Sequence, residues 1–273
     1  MSAAIARRLI DAAVVASLCA ATPAFAHHPW LLPSSTVLSS HDSVITVDAA
    51  VSSDLFNYDT NSLKLDTLVV TAPDGKPLAP QNPVTSRFRS SFDVPLASAG
   101  TYKVAIVNDG VFASWKEDGK PKRWRGTVEA FAKEVPANAQ DLEVTQTSNR
   151  VESFFTRDKP TTTAFKSTGS GLELMPVTHP NDLVAGDPAS FQILVDGKPA
   201  ANVKVTAIRG DSRYRNNVDE LTATTGVDGR FTLKWPQAGM WWVGANLNDN
   251  QTALKQAKQR RLSYAATVEV MAP

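Results

Sequence analysis

Along most of the chain, apolar and polar residues alternate with a period of two, which is the mark of strands with one face buried. Ser43-Val44-Ile45-Thr46-Val47-Asp48-Ala49-Ala50-Val51 shows it first. Leu68 to Ala72, Arg87 to Val94 and Gly100 to Val107 repeat it, and Asp141 to Phe155 reads as a further strand. Residues 156–171 are polar and turn-forming. Beyond them the pattern resumes at Pro188 to Val195, Val203 to Ile208, Thr222 to Thr225, Phe231 to Trp235 and Gly239 to Ala245, and Ser263 to Val270 closes the chain. Thr252 to Arg261 alone is predicted as a short helix. Asp-Gly-Lys-Pro occurs at Asp74, Asp118 and Asp196. Asp-Gly supplies the positive φ of a tight turn and the proline discourages further pairing, so these are expected as hairpin tips. The rhythm predicts an all-β fold of two tandem antiparallel β-sandwich domains, immunoglobulin-like or transthyretin-like, over residues 27–168 and 169–273.

The first 26 residues break this pattern. Arg7 and Arg8 precede an apolar run from Ala12 to Ala21, too short to span a bilayer, and Ala24-Phe25-Ala26 is a small-x-small cleavage site. Residues 1–26 are therefore expected to be a signal peptide, and the protein periplasmic. No later apolar run is long enough for a transmembrane helix. Cleavage removes Arg7, Arg8 and Asp11, leaving 26 of the 28 basic and 26 of the 27 acidic residues. That balance gives no reason to expect a nucleic acid as partner. Cys19, the single cysteine, leaves with the signal peptide, so neither disulfides nor thiolate ligands are available.

The chemistry then rests on four histidines, His27, His28, His41 and His179. Cleavage after Ala26 would place the α-amine of His27 beside two imidazoles, all partly deprotonated near neutral pH. Such a nitrogen set suits Cu(II) or Ni(II). In a histidine-brace arrangement the amine and imidazole of His27 join one distant imidazole, with His179 the first candidate and His41 the second. The structural alternative is a pair of solvated histidines at a chain end. Between Trp115 and Trp124, the basic residues from Lys116 to Arg123, followed by Arg125, read as a solvated hairpin whose tryptophans pack near its base. The alternative is binding of single-stranded nucleic acid or a sugar acid. No Gly-x-Ser-x-Gly, His-Glu-x-x-His or phosphate-cradling glycine loop is present, and Asp219-Glu220 would point to opposite faces of a strand.

Ala26-His27-His28-Pro29-Trp30-Leu31-Leu32-Pro33-Ser34 resembles the A-H-x-x-W-L-x-P-S start of the DUF4198 proteins, relatives of the periplasmic portion of NikM-like nickel/cobalt uptake components. Leu172 to Pro180, Gly186-Asp187-Pro188, Asp196 to Pro199 and Thr225 to Phe231 resemble the second half of that family. The resemblance implies an exported β-sandwich protein that handles nickel or cobalt, with His27 the residue carried over as a ligand. His28 falls at a variable position of the motif and rests on its chemistry alone. The expected function is binding of a transition-metal ion, nickel, cobalt or copper, and its transfer to or from a membrane uptake system, without enzymatic activity. Two alternatives stand beside it. One is a copper histidine-brace enzyme oxidising polysaccharide; the other is a metal-free structural β-sandwich.

Overall fold

The computed structural model describes residues 27–39 and 43–273. The expected signal peptide and His41 lie outside the described residues. The first half of the chain supplies β1 (His28–Pro33), β2 (Val37–Leu38), β3 (Val44–Ser52), β4 (Asn61–Ser62), β5 (Leu68–Thr71) and β6 (Pro77–Leu78). It continues with β7 (Gln81–Thr85), β8 (Ser90–Pro95), β9 (Gly100–Glu117), β10 (Lys120–Gly126), α1 (Val128–Glu134) and β11 (Gln140–Arg157). The second half adds β12 (Leu172–Pro176), β13 (Pro188–Val195), β14 (Lys198–Pro199), β15 (Lys204–Arg209) and β16 (Leu221–Thr224). It ends with β17 (Arg230–Lys234), β18 (Gly239–Asp249) and β19 (Gln259–Val270).

The expected all-β class is what forms. In β3, Ile45, Val47 and Ala49 point into the core while Val44 and Thr46 face out, as the period-two pattern requires. The turns after β9 and β13 place Asp118 and Gly119 at φ 50° and 73°, and Asp196 and Gly197 at 50° and 76°. Both residues of each pair therefore carry the positive φ of a type I′ hairpin.

Among the described residues, the one α-helix lies elsewhere than predicted. Thr127 caps α1 by accepting from the Ala130 N–H at 3.2 Å, and the helix buries Phe131. Residues 252–258 form turns instead, and β19 begins at Gln259. Two things defeat the helix that Thr252 to Arg261 predicts. The backbone from Gln259 onward pairs with Thr145 to Ser153 on β11. The guanidinium of Arg260 is also held between Asp196 and Asp249.

The strands form three sheets. The first runs β1-β3-β8-β7, with β4 on β3. The second has ten strands in the path β16-β15-β18-β19-β11-β9-β5-β6, with β10 on β9 and β2 on β11. The third is β12-β13-β14, with β17 on β13. Named strands pair antiparallel except where β11 meets β19 and β2. The β11–β19 pairing joins both halves of the chain into one continuous sheet.

Alternation along that sheet serves two cores at once. Phe155, Trp242 and Ala265 pack with Trp30, Ile45 and Phe92 of the first sheet. Their neighbours Phe154, Trp241 and Tyr264 pack with Leu174, Phe191 and Phe231 of the third. Each such phenylalanine contributes about 1.5–3 kcal/mol by burial.

Candidate functional site

The sequence places its chemistry at His27 and His28, and the fold holds these two differently. His27 is exposed, one residue before β1. His28 opens β1 opposite Ser52 of β3. Its ring stands edge-on to the Trp242 indole, with centroids 4.7 Å apart and an interplanar angle of 82°. The indole is fixed in turn, because its Nε1–H donates to the Pro29 carbonyl at 2.9 Å. It also lies over Gly244, where a Cβ would collide with the six-membered ring. Burial lowers the pKa of His28, against opposing effects of a hydrogen bond with the Ser53 backbone and the charge of Glu220. The imidazole is therefore neutral, the ligand form, at neutral pH.

Glu220 reaches this corner from the residue before β16. It accepts from Thr206 Oγ1 at 3.1 Å and pairs with Lys204 Nζ at 3.4 Å. Neither Glu220 nor Trp242 is legible as a neighbour of His28 in the sequence. About 190 residues or more separate them, and the pairing of β15 with β16 and β18 brings them together.

His179 sits in different company. Its Nδ1 accepts from the Asn181 N–H at 3.1 Å, which leaves the proton on Nε2. Nε2 lies 3.2 Å from the Thr161 carbonyl and 3.0 Å from Thr101 Oγ1. Thr101 meets Thr156 at 2.8 Å, Thr156 donates to Asn181 Oδ1 at 2.9 Å, and Phe165 packs on the imidazole at 5.2 Å. Both ring nitrogens are thus spent within the protein. The network joins the start of β9, the end of β11 and the segment leading into β13. Desolvation lowers the pKa of His179, opposed by the Thr161 carbonyl and by Asp182.

The structure keeps His27 and His28 together and gives His179 a separate set of neighbours. Among the described residues, no three His, Cys, Asp or Glu side chains are grouped so as to hold a metal. A metal at the N-terminus would need a donor beyond these side chains, such as the α-amine that the expected cleavage after Ala26 would create. That amine would then stand beside the imidazoles of His27 and His28.

Two further clusters carry charge. At the junction of the halves, buried Glu152 receives Arg150 at 3.2 Å, Lys103 at 3.8 Å and the Tyr264 hydroxyl at 2.8 Å. Burial and Glu152 push the Tyr264 phenol well up. Arg150 also approaches Glu173 at 3.8 Å. Glu173 accepts from Ser167 Oγ at 2.6 Å and the Thr168 N–H at 2.8 Å. Those hydrogen bonds and Arg150 overcome desolvation and hold its carboxyl below the usual range. At the far end, Arg260 forks onto Asp196 and Asp249, with its shortest contacts at 2.7 Å, beside an open cleft of about 470 Å³. The Arg260 guanidinium donates from Nε and Nη2 to Asp249 and from Nη1 and Nη2 to Asp196. The triad ties the third sheet to β18 and β19.

Against known structures, the chain is similar to the D0-D1 domain of intimin at 12% identity and TM-score 0.23, over 88% of this chain and 97% of that one. It is also similar to trypsin-activated alpha-2-macroglobulin from Escherichia coli at 13% identity and TM-score 0.24, over 89% of this chain and 16% of that one. Similarity at this level leaves the all-β assignment resting on the strands themselves. No curated protein matches the chain. The profile of one family, described as a domain of unknown function (DUF4198), matches residues 24–249, a span that includes His27, His28, Trp242 and Glu220, and the chain belongs to that family.

Proposed function

We propose that this protein is an exported binder of a transition-metal ion, held at the chain end that cleavage after Ala26 creates. The observation that carries the reading is the contrast between neighbours. His28 is anchored on Trp242 by ring packing, and His27 stands exposed one residue upstream. In this reading, cleavage would leave the amine and the exposed imidazole of His27 next to an anchored residue. Nitrogen donors in close chelate rings favour Ni(II) or Cu(II), with Co(II) weaker in the same order. Glu220 supplies a compensating negative charge nearby. No helix among the described residues is long and apolar enough to cross a membrane. Handing the ion to or from a membrane uptake system would bring in a second protein.

The test is calorimetric titration of Ni(II) and Cu(II) into protein beginning at His27 and into a form with one added Ala before it. The extension turns the amine into an amide and keeps every histidine. Binding to the processed form, weakened about tenfold or more by the extension, is expected. His28→Ala weakens it too, whereas His179→Gln leaves it unchanged. Equal affinities for the two forms would remove the chain end from the site.

A further inference from the structure

The face of the ten-stranded sheet that carries Trp242 and Phe155 continues past the first sheet and becomes polar and open. In register across adjacent strands stand Asn108 of β9, Asn149 of β11, Ser263 of β19 and Asn246 of β18. Ser263 donates to Asn149 at 2.7 Å, and the amide of Asn149 reaches the Asn108 carbonyl at 3.4 Å. Two residues further along each strand the row holds Thr147, Arg261 and Asn248, and the next holds Arg125, Phe112 and Gln259, whose amide donates to buried Thr145 at 3.1 Å. Arg123 follows Arg125 on the same face, opposite Ser114.

Charge sets this face apart. Arg123, Arg125 and Arg261 are exposed, and no carboxylate among the described residues pairs with them. Nearby ion pairs are closed on themselves, Lys258 with Glu143 at 2.8 Å and Lys204 with Glu220 at 3.4 Å. Strand geometry puts Arg123 and Arg125 about 7 Å apart, and Arg261 three strand spacings, about 14 Å, across the sheet. Phe112, half-buried, lies between the two sides.

We propose that this face binds an acidic polysaccharide laid across the strands. Arginine forks match carboxylates in two-point fashion. The exposed side chains of Asn246, Asn248 and Gln259 offer both donors and acceptors to sugar hydroxyls. Phe112 offers an apolar surface for a sugar ring. A nucleic acid suits the face less well. Single-strand binders use several stacking aromatics in a strongly basic groove, and this face has one aromatic on a chain whose processed form has balanced charge.

The proposal is independent of the metal reading, and its test is run in EDTA. Affinity electrophoresis and calorimetry are carried out with polygalacturonate as the probe, and with neutral dextran and a single-stranded DNA of similar charge as comparators. Polygalacturonate is expected to retard the protein at low salt, less so as salt rises. Arg125→Gln/Arg261→Gln is expected to raise Kd by about tenfold, and either single change by about threefold. Arg87→Gln, which alters an exposed arginine beside Phe88 in the first sheet's loop, is expected to change nothing. Circular dichroism confirms folding of each variant. Absence of retardation, equal retardation by dextran, tighter binding of the DNA, or full binding by the folded double variant would each overturn the proposal.

Discussion

His179 shows how a residue type misleads when its neighbours are unknown. As the first candidate for the distant imidazole of a histidine brace it reads as a metal ligand, yet both nitrogens serve a network of threonines and Asn181. That network has a consequence for pH. The pKa of His179 is depressed in the folded state, so its contribution to stability is complete above the ordinary imidazole pKa of about 6.5 and is lost as pH falls through the folded value. Protonation would place a hydrogen on Nδ1 facing the Asn181 N–H. The urea midpoint is therefore expected to fall between pH 7 and pH 5. His179→Gln is expected to cost about 1–3 kcal/mol at pH 7 and to flatten that dependence. A midpoint in the wild type that holds steady over the interval would contradict this assignment. Glu173 and Asp196 act with the same sign at lower pH. Their carboxyls are held below the usual range, so the stability they add is present above that range and lost on acidification.

Strands were legible because alternation is a local property. The hairpin between β9 and β10 forms with its basic residues exposed and Trp115 and Trp124 packed against the Phe131 cluster. The helix prediction failed because Thr252 to Arg261 has fair helical composition while its partners on β11 and at Asp196 are distant in sequence. One glycine within β18 tests how an element supports the proposed site. Gly244 accommodates the Trp242 ring that positions His28. Gly244→Ala should force the indole aside, destabilise the protein by about 1–3 kcal/mol and alter tryptophan fluorescence. Urea unfolding followed by fluorescence measures both effects. An unchanged midpoint and spectrum would mean that the ring has room to spare.

At the scale of the described region, the ten-stranded sheet is shared by the two larger cores. β11 presents Phe154 to one core and Phe155 to the other, and its parallel pairing with β19 crosses between the halves. The Arg150–Glu152–Lys103–Glu173 cluster ties β9, β11 and β12 at the same place. Charges so buried are costly unless all partners are present, which couples the halves further. Heat or urea should accordingly unfold the described region in a single transition. Calorimetric and van't Hoff enthalpies should agree. Two resolved transitions would show halves that fold independently.

By itself, the sequence determined the all-β class, the hairpin turns and the family. Each follows from short-range signals: the side-chain period of two, the φ freedom of Asp-Gly, and the motif around His27 and Trp30. The tertiary structure decided which residues meet. It set Trp242 and Glu220 beside His28, enclosed His179 among hydroxyl and amide groups, and aligned three arginines on one open face. Those outcomes depend on strand order and register, and a single-residue slip in either would send every one of these side chains to the opposite face of the sheet.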